Sequence, residues 1–153
     1  MLIEVFKDTF KPSEADLIVL SSPRAFPKLP EIPQNIIIRH QWIELNDLIK
    51  LYVSCHAFVL PTKGEGWGLP FTEAGAMGLP IIATNWGAQT EFLDDRNSFL
   101  LRIDGLMHPP KEIDKDPENL FANPSRDDLT WENSAQIISE RLASIAGTRL
   151  NSK

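Results

Sequence analysis

The run Pro61 to Thr84, PTKGEGWGLPFTEAGAMGLPIIAT, sets a glycine loop, a helix and a strand within two dozen residues, and its reading decides the fold. Before it, His56 to Leu60 is a short apolar run of the kind a buried parallel strand needs, and Pro61 to Gly64 punctuates its end. Gly64, Gly66 and Gly68 then remove side chains from a place where backbone can approach a ligand closely. Pro70 suits the first position of a helix running to about Met77, since an N–H there would have no intrahelical acceptor. The free N–H groups of that helix point into the loop. Beyond the carboxyl end of a parallel strand, such an N-terminus is a ready site for phosphate or another anion.

Two carboxylates bracket the loop, Glu65 before it and Glu73 in what the pattern makes the first turn of the helix. Both would be repelled by a phosphate, so beside one they would instead accept hydrogen bonds from hydroxyls, as on a sugar or a ribose. That combination suggests a nucleotide sugar. The plainer alternative is that Glu73 complements the helix dipole and Glu65 is a solvated loop residue.

Outward from this stretch, strands and helices alternate. Leu2, Ile3, Phe6 and Phe10 recur at helical spacing until Pro12, and Asp16 to Ser21 reads as a strand. Pro23, Pro27, Pro30 and Pro33 make the next crossover an extended loop, because prolines so dense do not fit a regular helix. Asn35 to Arg39 is a second strand. Leu45, Leu48, Ile49 and Tyr52 form the apolar face of a helix that feeds the His56 strand. Pro80 to Thr84 is a fourth strand, Gly87 to Phe92 a short helix, and Ser98 to Arg102 a fifth strand. Residues 104–128 are an irregular, acid-rich surface excursion, and Trp131, Ala135, Ile138, Leu142 and Ile145 then mark one face of a final helix that packs on the sheet or its neighbour. The alternation predicts an α/β fold: a single Rossmann-like domain over residues 1–153, with a doubly wound parallel sheet and helices on both faces. Right-handed crossovers place the loops after residues 60 and 84 on the carboxyl edge, so Thr84, Trp86 and Gly87 can close a shared crevice.

Composition narrows the classes. A length of 153 residues with 42% hydrophobic content suits one folded domain, and a net charge of −6 with no Lys/Arg cluster argues against nucleic acid and anionic membrane surfaces. No apolar run approaches the roughly eighteen residues that span a bilayer, and nothing at the N-terminus resembles a signal peptide, which predicts a cytoplasmic protein with no transmembrane segment. Cys55 is the one cysteine and reads as a small core residue; His40, His56 and His108 lack ligand spacing, so no metal is expected.

The run EGWGLPFTEAGAMGLPIIATNWGAQTEFL resembles the donor-site signature of the family 4 (group 1) glycosyltransferases, retaining enzymes of two facing Rossmann-like domains known as the GT-B fold. The paired glutamates, the G-x-G-L-P loop, the strand after GLP and Thr90-Glu91-Phe92 carry the likeness, and a weaker one extends from Leu2 to Leu101. It implies the C-terminal, donor-binding half. Glu65 would contact donor-sugar hydroxyls as the catalytic residue, and the N–H groups around Gly66, Trp67, Gly68 and Leu69 would meet sugar and phosphate. The diphosphate would sit at the Pro70 helix, and Glu73 would hold the ribose. Trp67 fits both lining the ligand and shaping the loop by packing. The donor is a substrate, and no cofactor is implied.

The family's donor half normally opens with a strand and then a basic Arg and Lys pair that neutralises the departing diphosphate, and neither has a counterpart here. The absent first strand would lie between the strands at Asp16 and His56. Three repairs are open: those strands pair directly, the first residues become a strand, or another chain supplies one, as in a homodimer or with a separate acceptor-domain chain. The resulting expectation is a hexosyltransferase domain inactive alone. Its alternatives are a non-catalytic remnant or association module, and, more remotely, a glycoside hydrolase using two glutamates held roughly 5 to 10 Å apart across a sugar.

Overall fold

In the computed structural model, residues 2–21, 32–40, 42–62, 65–103 and 140 are described, and the chain divides into two units, residues 1–50 and 51–153. The proline-rich crossover from Pro23 to Pro30, Lys63 and Gly64, the acid-rich stretch 104–128 and the helical pattern from Trp131 to Ile145 lie outside the described residues.

In the first unit, helix α1 (Leu2–Thr9) forms where the apolar spacing predicts it. It buries Phe6, whose ring meets Phe10 at 5.1 Å. These opening residues are therefore helical, and the repair in which they become a strand does not occur. Strand β1 (Leu17–Leu20) runs parallel to β2 (Ile36–Arg39), with Leu17 opposite Ile36. Buried Asn35 fastens the entry to the pair, its Nδ2 donating to the Ala15 carbonyl at 2.9 Å.

Helix α2 (Leu45–Ser54) joins the two units. The expected apolar face of Leu45, Leu48, Ile49 and Tyr52 divides in two. Leu45, Ile49 and Val53, one turn apart, are exposed, whereas Leu48, Leu51, Tyr52 and Cys55 are half-buried and make the packed stripe.

The second unit carries β3 (Phe58–Leu60), α3 (Leu69–Ala76), β4 (Ile81–Thr84), a single 3-10 turn at Ala88–Glu91 and β5 (Phe99–Leu101). All pairings are parallel in the order β3-β4-β5, with Phe58 opposite Ile81 and Ile82 opposite Phe99. Central β4 is buried at all four residues, which is why its sequence is apolar without alternation. Phe71 and Ala74 of α3 close on Leu79, Ile81, Ala83 and Leu93 to form the core. Burying Phe71 alone stabilises the fold by about 1.5–3 kcal/mol.

Helix α3 ends in a Schellman motif. Leu79 N–H bonds the Ala74 carbonyl at 3.1 Å, Gly78 N–H bonds that of Gly75 at 2.9 Å, and Gly78 takes the left-handed φ of 72° that the motif requires. The turn aims the chain directly into β4.

The fold is thus the expected Rossmann-like α/β arrangement with parallel strands, but its strands make two sheets. Among the described residues β1 pairs with β2 in the first unit, and β3 with β4 and β4 with β5 in the second. No described helix is long and apolar enough to cross a membrane.

Candidate functional site

The site grows from the end of β3 through the glycine loop into α3. Gly68 caps the helix in the left-handed region, at φ 86° and ψ 46°, and contributes no side-chain cap. A Cβ built there would lie 2.6 Å from Cδ2 of fully buried Phe71 and 3.3 Å from Cγ of Glu65. Both conformation and space therefore demand glycine.

This cap moves the helix start. Leu69 is the first helical residue and Pro70 the second, one place later than the sequence suggests, because left-handed Gly68 lets the helix begin at once. Phe71 N–H closes the first turn on the Gly68 carbonyl at 2.9 Å. The N–H groups of Trp67, Gly68 and Leu69 have no acceptor among the described residues, and they head a helix with no side-chain cap. That is a short row of donors at the positive end of a dipole, suited to an anion.

Glu65 is half-buried against the loop, and its Oε1 accepts the N–H of Gly66 at 3.2 Å. Glu73 is exposed on α3. With the helix beginning at Leu69 it is the fifth residue, past the first turn, so the dipole does not account for it. Its Oε2 accepts instead the hydroxyl of Tyr52 at 3.0 Å. Burial, then the hydrogen bond and the charge of Glu73, then Cys55, push the Tyr52 pKa well above the ordinary tyrosine range.

Tyr52 is a residue that sequence reading placed only on an apolar helix face. Its ring packs edge-on against Phe58 at 5.9 Å, and Phe58 packs edge-on against Phe71 at 5.7 Å. A line of aromatic contacts thus runs from the floor under Gly68 to the hydroxyl that holds Glu73. The sole tyrosine of the chain, on the helix leading into β3, was the available signal.

Thr84 is buried, and its Oγ1 donates to the Thr62 carbonyl at 2.7 Å, tying the ends of β4 and β3 together. Gln89, also unforeseen, is fully buried; its Nε2 donates to the Thr84 carbonyl at 3.1 Å while Oε1 has no partner among the described residues. Trp67 packs at a tilt against Phe92, with ring centres 5.6 Å apart, and remains 54% exposed. Trp86, just after β4, is 47% exposed.

A cavity of about 760 Å³ opens at the opposite end of the strands, among Gly78, Pro80, Leu93, Arg96 and Phe99. Neither Glu65, Glu73 nor the amide row lines it. Among the described residues no three His, Cys, Asp or Glu side chains converge as metal ligands.

A parallel α/β unit whose glycine loop opens a helix between two glutamates fits a class of sugar-transferring proteins. The sequence profile of the glycosyl transferases group 1 matches residues 1–122, and this chain belongs to that family. It is 30% identical over 128 residues to the capsular polysaccharide biosynthesis glycosyltransferase CapM of Staphylococcus aureus, covering 80% of this chain and 33% of that protein. It is 34% identical over 68 residues to the O-antigen chain mannosyltransferase B of Escherichia coli, covering 44% of this chain and 16% of that protein. The chain therefore spans a third or less of the curated relatives it matches.

Proposed function

We propose that this chain is the donor-binding part of a retaining glycosyltransferase that moves a sugar from a nucleoside diphosphate to an acceptor hydroxyl. The observation that carries the reading is the amide row of Trp67, Gly68 and Leu69, opening an α-helix with no side-chain cap. In the transfer, the bond between the anomeric carbon and the diphosphate oxygen breaks, the acceptor hydroxyl oxygen bonds to that carbon on the same face and gives up its proton by way of the departing phosphate oxygen to solvent, and the nucleoside diphosphate leaves with its added negative charge. Amides fixed in advance at a helix N-terminus stabilise that charge without reorganising. Glu65, against the loop, takes donor-sugar hydroxyls, and Glu73 takes those of the ribose.

One relative is named for capsular polysaccharide biosynthesis and the other as an O-antigen chain mannosyltransferase, which supports a saccharide acceptor. Acceptor binding and the cations that meet the leaving diphosphate belong to a further domain or a partner chain. Binding of donor without turnover is then the behaviour expected of this chain by itself.

Calorimetry with UDP, GDP and ADP and their sugars tests the reading. One series should bind, and Glu73→Gln should weaken it. No heat with any of the three overturns the proposal in favour of a module that acts by association alone.

A further inference from the structure

We propose that Tyr52 is the positioning residue for Glu73, its hydroxyl fixing one carboxylate oxygen so that the other is aimed at the ribose hydroxyls of the bound nucleotide. The inference rests on the donor-binding reading above and adds a residue to it. Three observations carry it. The Tyr52 hydroxyl donates to Oε2 of Glu73 at 3.0 Å, and Oε1 has no partner among the described residues. Glu73 is exposed on a helix, where an unrestrained glutamate samples many rotamers and loses them on binding. Tyr52 is not free to follow it, because its ring is set edge-on to Phe58, which in turn meets fully buried Phe71 beneath the loop.

The arrangement gives Glu73 a rigid anchor tied to the same floor that shapes the amide row. Carboxylate and amides are thereby held at a fixed spacing, which a ligand with a diol at one end and a diphosphate at the other can use. A carboxylate held this way binds a ribose more tightly than a mobile one, since the ordering cost falls on folding and not on binding. It also makes discrimination against a sugar lacking those hydroxyls depend on Tyr52, which touches no ligand itself.

The test compares UDP, GDP and ADP with their dideoxyribose forms by calorimetry, in the wild-type chain and in Tyr52→Phe, which keeps the ring and its packing. For whichever nucleotide binds, Tyr52→Phe should weaken the ribose form on the order of fivefold to tenfold and leave the dideoxyribose form unchanged. An equal loss on both forms, or none, overturns the inference while donor binding stands. Wild-type binding that ignores the ribose hydroxyls also overturns it. If no nucleotide binds, the donor reading falls and this inference with it. A second measurement is independent of ligand: Tyr52 is the only tyrosine, so the near-ultraviolet absorbance of tyrosinate reports its ionisation alone. Glu73→Gln should bring that ionisation to lower pH, and an unmoved titration removes the pair on which the proposal depends.

Discussion

Replacing Gly68 by alanine sets a methyl group 2.6 Å from Cδ2 of Phe71, well inside van der Waals contact, on a backbone at φ 86°. The two costs are separable. An L-residue in the left-handed region loses about 1–2 kcal/mol. Forcing an extra methyl group against fully buried Phe71 costs about 1–3 kcal/mol more, because the ring must shift from its edge-on contact with Phe58 to clear it. The sum is about 2–5 kcal/mol, a large part of the roughly 5–15 kcal/mol that holds a domain folded. Gly78→Ala supplies the control, since Gly78 has a similar φ of 72° but nothing within 4 Å of its would-be Cβ. It should lose only the conformational part. Urea unfolding of both variants at unchanged m measures the difference. Equal losses would refute the claim that Phe71 sets the loop from below, and with it the reason for glycine at position 68.

Phe71→Ala should itself lose about 3–5 kcal/mol in the same assay, and a loss below about 1 kcal/mol would mean that the ring is not the floor described. Thr84→Val removes the hydroxyl that meets the Thr62 carbonyl and should cost about 1 kcal/mol, with faster amide exchange at the ends of β3 and β4; unchanged exchange would deny it the fastening role. Because the Tyr52 pKa lies above its unfolded value of 10.0, stability is whole below that pH and falls as pH rises from 10.0 toward the higher folded value. Tyr52→Phe should flatten that fall, and an equally steep decline in the variant contradicts the assignment. At Asp94 the side-chain and backbone hydrogen bonds from Arg96 hold the carboxyl below its usual range, so Arg96→Ala should raise its titration in carboxyl NMR, and no movement would show that the pair does not persist in solution.

Local features were the legible ones. The Gly78-Leu79-Pro80 ending of α3 and the unbroken apolar run of β4 are written in consecutive residues, and helix α1 follows from the spacing of Leu2, Ile3 and Phe6. The glycine run before Pro70 announced the head of α3 in the same way. Harder to read was anything set by distant partners. The bond between Tyr52 and Glu73 joins residues 21 apart, brought into reach by packing of Tyr52 and Phe58 on the core under α3. The division of the strands into two sheets depends on long-range hydrogen bonding that apolar runs do not encode. Even the shift of Pro70 to the second helical position needed the φ of Gly68.

The aromatic line beneath the loop limits how this protein can be re-engineered. Anyone grafting the GEGWGLP segment onto another scaffold, or exchanging it for a relative's, would be moving the loop without its foundation. Phe58 and Tyr52 come from a different strand and helix, so the transplant must carry those too, and a chimera cut between Leu60 and Gly66 separates the loop from what gives it shape.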